Sequence, residues 1–332
     1  MIIPAHWAEA RLTGKVAGRP RVVRRFGWSD ESQAAAQQHA EQRAALALAA
    51  LQQGEHVPGR ERRMTYGDDV LPIREEVIAH DGSEVVTRNR YGARCLNVPD
   101  VLFADVDLHL TLPPHLKIVC DIATAAICLL GLSLVVWSIT TGRTLQAWVA
   151  GVLTIGLLVA VARLRSRWRD GPANLTRCKN ELLTWVREAL APLSEGRFAI
   201  YETPLGIRLV ALHATFDPNS AAVHALFKML GTDHRYVRLC KLQGCFRARV
   251  SAKPWRIGIR EPLRPRSGIW PFPEELQAGR NEWIAAYETR AAEFAACRFV
   301  EELGRGPLHA RAAAVQKVHD AMCRARSSLP IA

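Results

Sequence analysis

The 332-residue chain lacks much of what marks common protein classes. It has eight cysteines and no Cys-x-x-Cys pair, which excludes a disulfide scaffold and the usual zinc-ribbon anchor. The thiols are expected to be reduced and mostly buried. No GxSxG, HExxH, GxxxxGKS or GxGxxG run occurs, so the common hydrolase, zincin, P-loop and dinucleotide readings fall away. There is no internal repeat and no low-complexity tract. Met1–Ala10 has no basic segment leading into an apolar run, so no secretory signal is expected. Lysine is scarce, and the 44 basic residues that outnumber 32 acidic ones are nearly all arginine, leaving a formal charge of +12. Arginine grips phosphate and carboxylate at two points, which suits nucleotide, nucleic-acid or headgroup partners.

What the chain does have is a hydrophobic content of 49%, enough for a sizeable core, and a length that allows about two domains. Its plainest feature is a pair of uncharged runs, Ile122–Ile139 and Leu145–Ala162, joined by Thr140–Thr144. Each is 18 residues, or about 27 Å of helix, and neither has a polar face. They are expected to form a transmembrane hairpin over 116–162. Trp137 and Trp148 flank the short turn as interfacial aromatics. His115, Lys117 and the run RLRSRWR (Arg163–Arg169) stand at the other end. The positive-inside rule then puts both termini in the cytoplasm, with a short non-cytoplasmic turn, in a multi-pass protein of the inner membrane. Asp121 is expected at the cytoplasmic interface.

Around this hairpin the pattern predicts an α+β fold, with an antiparallel or mixed sheet and helices on one face. Residues 1–54 read as a basic ββα module. Two strands, joined near Gly14, carry Arg11, Lys15, Arg19, Arg21, Arg24 and Arg25, and an Ala-rich helix capped by Ser29 or Asp30 runs to Gly54. Such a module can dock on a nucleic-acid backbone or be a solvated sheet packed on its helix. A linker at 54–63 leads into residues 55–115, the first part of the core, with strands near 84–90, 92–98 and 101–108. Residues 163–266 form its second part. There we expect a helix at 174–191, a strand hairpin at 197–203 and 206–213, a helix at 220–231, and strands at 235–241 and 245–253. Residues 267–332 are expected to hold helices near 273–303 and 307–325.

Three places could carry chemistry. In Phe103-Ala104-Asp105-Val106-Asp107, strand alternation puts both carboxylates on one face, where Mg²⁺ or Mn²⁺ would offset the burial of charge. The hairpin Thr203-Pro204-Leu205-Gly206-Ile207-Arg208, followed by His213, offers a tight turn beside a cation, suited to phosphate. From 234 to 266 there are ten Lys or Arg against Glu261 alone. Within it, Arg247, Arg249 and Ser251 would share one face of a strand, with Trp255 and Trp270 near for stacking. Such a face suits a single strand of nucleic acid, a nucleotide or anionic lipid headgroups. Cys240-x4-Cys245 and His319-x3-Cys323 lack the anchor expected of a zinc site, and the cysteines read as structural thiols.

In chain order, DVD on a strand, TPLGIR with a later His, and Asp233 followed by Arg238 and Lys253 resemble the archaeo-eukaryotic primase superfamily over about 84–256. The resemblance implies an RRM-like palm. It implies Asp105, Asp107 and Asp233 as catalytic metal ligands, Thr203 and Gly206 in a nucleotide hairpin, and Arg238 and Lys253 on phosphate. Arg208 stands where the family has His, and the nearest His is His213. The chain is also similar to a widespread bacterial protein type, usually without the apolar pair, through VTRNRYGARCLNVPDVLFADVDL and YVRLCKLQGCFRARVSAKPWR. That likeness implies no activity. The leading expectation is a membrane-tethered nucleotide- or nucleic-acid-binding domain, a nucleotidyltransferase if active, with Arg208, Arg247, Arg249 and Lys253 offsetting phosphate charge. The alternatives are a non-enzymatic membrane-anchored binding or scaffold protein with a basic surface, and a phosphodiesterase or nuclease using the same acids.

Overall fold

A computed structural model describes residues 1–61, 72–264 and 274–332. Two compact units emerge: Met1–Val106 with Ala189–Ala332, and Asp107–Glu188. The architecture is α+β with antiparallel pairings.

The first unit begins with a two-stranded ribbon, β1 (His6–Val16) and β2 (Arg19–Ser29), backed by α1 (Gln33–Gln52). The strands run past Gly14, which pairs with Arg21, and the turn falls at Ala17–Gly18 rather than near Gly14. Leu48 packs on Gly14 and holds it in the strand. Ser32, not Ser29 or Asp30, caps α1 by accepting from the Ala35 amide. Ala36, Ala40, Ala44 and Ala47 recur at helical spacing and are buried. Small residues let helix and sheet come very close. A Cβ on Gly27 would lie 2.1 Å from the Ala40 nitrogen. The expected linker packs on this module: Arg25 donates to the Pro58 carbonyl, and Glu61 accepts from the Phe26 amide and pairs with Arg43.

A four-stranded sheet follows in the order β3 (Glu76–Asp81), β4 (Glu84–Arg88), β5 (Arg94–Val98), β9 (Phe246–Arg249). Strand β3 is not among the expected strands, although Asp81-Gly82 is a hairpin signal. Gly92 turns β4 into β5 with φ +99°, and its missing Cβ leaves room for Trp283. The second sheet runs β10 (Arg298–Leu303), β7 (Phe198–Thr203), β8 (Gly206–Ala211), β6 (Phe103–Asp107). Phe103, Ile200, Tyr201 and Leu209 are fully buried in it.

Two expected elements of this unit differ in kind. Residues 235–241 are not a strand but part of α6 (His234–Gln243). Asp233 caps it, Gly244 ends it in the left-handed region, and buried Leu239, Cys240 and Gln243 follow a helical period. The helix expected at 273–303 is α7 (Gln277–Ala291) followed by strand β10. Phe299 sits opposite Tyr201 in that strand pairing, so 298–303 gains an edge to bond with. Residue 273 lies outside the described residues. Helices α5 (Ala221–Met229) and α8 (Ala310–Cys323) fall where expected.

The second unit holds α2 (Pro114–Thr140), α3 (Thr144–Arg169) and most of α4 (Pro172–Leu190). Helices α2 and α3 are long and apolar enough to cross a membrane. At 27 and 26 residues they reach about 40 Å, more than a hydrocarbon core of about 30 Å. They pack as a hairpin, with Gly131 of α2 pressed on Thr154 of α3. Leu129, Leu132, Leu145, Trp148 and Val152 point outward, each more than 60% exposed. Arg165 pairs with Asp121 at 3.1 Å at the open end, and Arg143 covers the Trp137 ring at the turn.

Candidate functional site

Strands β6 and β8 are neighbours in the sheet, and across that pairing Asp105 meets Arg208. Arg208 Nε donates to Asp105 Oδ1 at 2.7 Å and Nη2 to Oδ2 at 3.0 Å, a two-point grip. Its Nη1 donates to the Arg249 carbonyl at 2.9 Å. The Arg208 side chain is 2% exposed, whereas Asp105 keeps 39% of its side chain open. Burial works to raise the Asp105 pKa, but the Arg208 charge and its hydrogen bonds outweigh it and hold the carboxyl below its usual range. Burial likewise opposes the charge on Arg208, and Asp105 more than restores it. A carboxylate engaged in this way has its charge matched by the guanidinium.

Behind Arg208 lies a sealed cluster. Its Nη1 is 3.3 Å from His319 Nε2. The other ring nitrogen, Nδ1, faces Asp320 Oδ1 at 3.2 Å. Cys323 Sγ lies 3.4 Å and Cys297 Sγ 3.9 Å from the same Nε2. Tyr201 and Phe103 pack their rings around the imidazole, and Gln316 donates to the Tyr201 hydroxyl at 3.1 Å. The hydrogen bond from Cys323, with help from His319 and Arg208, pulls the Cys297 thiol pKa down against burial. Burial pushes the Cys323 thiol up. Burial also opposes a charge on His319, yet the bond to Asp320 raises its pKa overall.

The other sequence candidates have surroundings of their own. Asp107 ends β6 and is exposed. Asp233 caps α6, accepting from the Arg235 amide at 3.0 Å. Thr203 and Gly206 pair across the tight β7–β8 turn. His213 Nδ1 meets the Arg197 backbone and its ring touches Phe198 and Phe216, a packing role. Arg238 is on the exposed face of α6 with Arg235 and Lys241. Lys253 lies over Trp255, 5.4 Å from its centroid.

The basic stripe expected on 245–253 does not face solvent. Arg247 is buried against Glu75 at 2.5 Å, with the two side chains 5% and 3% exposed. Thr87 adds a hydrogen bond to the same Glu75 oxygen, and Ser251 bonds the Tyr287 hydroxyl. Three of the four β9 residues are buried, so alternation sorts these side chains between two covered faces rather than between core and water. Arg249 is half-buried. Trp270 and Arg266 lie outside the described residues.

Sequence reasoning missed Cys297, which has no nearby motif and lies 22 residues from His319. The spacing of His319 and Cys323 was visible. As an i, i+4 pair on α8 it puts both donors on one face of the helix. Among the described residues, Cys297, His319 and Cys323 are the group of three potential metal-ligating side chains whose donor atoms all lie within 4.8 Å. No protein-family model, curated protein or solved structure matches the chain.

Proposed function

We propose that the chain is a membrane-anchored, non-enzymatic binding protein that docks the tip of its β1–β2 ribbon on anionic lipid headgroups. Helices α2 and α3 would be the anchor, with both termini cytoplasmic and Gly142 in the short external turn. The observation that carries the reading is the ribbon tip. Lys15, Arg19 and Arg21 are all exposed there, and residues 10–29 contain no acid. Arg11 on the same strand is also exposed but already engages Glu9. Val22 and Pro20 stand among these cations, and Val22 is 48% exposed. The ribbon's aromatic residues, Trp7, Phe26 and Trp28, lie at its other end beneath Arg74 and Arg43. A single-strand nucleic-acid surface needs aromatic rings exposed for stacking, so the tip suits phosphate headgroups better.

A cation near an anionic leaflet contributes about 1 kcal/mol, so three contribute about 3 kcal/mol, roughly a hundredfold in occupancy. The tether removes the entropic cost of finding the surface. The primase-like alternative needs Asp105 for metal, and Arg208 engages both of its oxygens. That favours the binding reading over nucleotidyl transfer.

The test uses the full chain in lipid nanodiscs, with Cys128→Ser to remove the exposed thiol and Thr13→Cys to carry a dye on the ribbon. Lipid-borne quencher should quench the dye in discs containing phosphatidylglycerol and not in neutral ones. Lys15→Glu/Arg19→Glu/Arg21→Glu should abolish the difference. Equal quenching in both discs would defeat the proposal, as would tight binding of duplex DNA that leaves the dye unquenched.

A further inference from the structure

We propose that Cys297, His319 and Cys323 form a zinc site inside the first unit, independent of the ribbon. With Zn–S near 2.3 Å and Zn–N near 2.05 Å, a tetrahedral site sets sulfur and nitrogen about 3.6 Å apart. The two sulfurs stand 3.4 and 3.9 Å from one nitrogen, His319 Nε2, on either side of that value. All three donor atoms lie within 4.8 Å of one another, so one ion can reach each of them.

The second shell is the kind a zinc-bound imidazole uses. Nδ1 faces the Asp320 carboxylate, which fixes the ring and leaves Nε2 as the ligating nitrogen. Asp320 is itself held by Arg326 at 2.9 Å. The imidazole is 0% exposed and both sulfurs belong to buried residues, so the three donors are shielded from solvent. The ligands come from two stretches, the loop before β10 and the helix α8. A metal there would fasten the last helix to the sheet edge.

Arg208 opposes a dication, since its Nη1 is 3.3 Å from Nε2. Its charge is already matched by Asp105, and two thiolates match Zn²⁺. With those charges matched, a neutral water would complete the tetrahedron. Zinc binding releases the thiol protons to solvent and involves no change of oxidation state, so no oxidant or reductant is required.

The test is the zinc content of the full chain, purified in detergent without chelator from zinc-supplemented cells. About one zinc per chain is expected. Replacing it with Co²⁺ should give thiolate-to-cobalt charge-transfer absorption and the strong visible bands of a tetrahedral ion. Cys297→Ser and Cys323→Ser should each lose the charge-transfer intensity of one thiolate, and Cys128→Ser should lose none. If a variant does not fold, the wild-type metal content and cobalt spectrum still decide. Folded wild-type protein without zinc and without thiolate–cobalt absorption would overturn the proposal. So would a Cys297–Cys323 disulfide found by thiol counting on protein prepared under reducing conditions.

Discussion

The pairing of Asp105 with Arg208 predicts an unequal mutational response. Asp105→Asn leaves a guanidinium that is 2% exposed without its counter-charge. Breaking a buried pair in that direction costs about 3–5 kcal/mol. The lower end applies here, because the open side of Asp105 lets water reach one edge of the cation. Arg208→Met instead leaves a carboxylate that is already 39% exposed and can be hydrated. Its expected cost is about 2 kcal/mol, for two hydrogen bonds lost at a carboxylate that water can reach and one at the Arg249 carbonyl. The double variant Asp105→Leu/Arg208→Met should recover most of the loss, since apolar replacement of a buried pair is often neutral or better. Pulse proteolysis in urea on the full chain in micelles reads the folded fraction of each variant. The order expected is wild type, then the double variant or Arg208→Met, then Asp105→Asn. If Asp105→Asn were as stable as wild type, Arg208 would have another counter-charge and the reasoning would fail.

Other consequences follow from single contacts. Gly27→Ala would drive a Cβ into the α1 backbone at 2.1 Å, so the ββα module should become protease-sensitive while 189–332 stays resistant. The Asp105 carboxyl lies below its ordinary value near 3.8 in the folded state. Its contribution to stability is therefore complete above that value and is lost as pH falls through the lowered one. Asp105→Asn should flatten that acid limb of a stability-versus-pH curve, and an unchanged limb would contradict the pairing. Cysteine placed at Gly142 should react with a membrane-impermeant maleimide from outside intact cells, while one placed at Thr13 should react only after lysis. The reverse pattern would invert the topology.

Periodicity made much of this fold legible. The apolar runs reached far enough to define α2 and α3, and the Ala-rich run marked α1 as a helix. The hairpin of β7 and β8 followed from its turn residues. RYVRLCK misled because its apolar positions fit a strand as readily as a helix; the decisive signals were Asp233 and Gly244 at its ends. The basic residues misled for a different reason. Charge counts along a chain do not tell which arginines meet a buried acid, and Arg247 meets Glu75 from 172 residues away. Arg208 and Asp105 are 103 residues apart, so their pairing belongs to the sheet order and not to any motif. The same holds for Cys297, which tertiary packing brings to His319.

The most direct measurement of the account's central claim is hydrogen exchange of peptides covering residues 11–24, with the full chain in neutral and in phosphatidylglycerol-containing nanodiscs. Headgroup docking predicts slower exchange in the anionic discs alone, and the difference should vanish at high salt as screening shortens the reach of the charges. Identical exchange in both discs at low salt would contradict it.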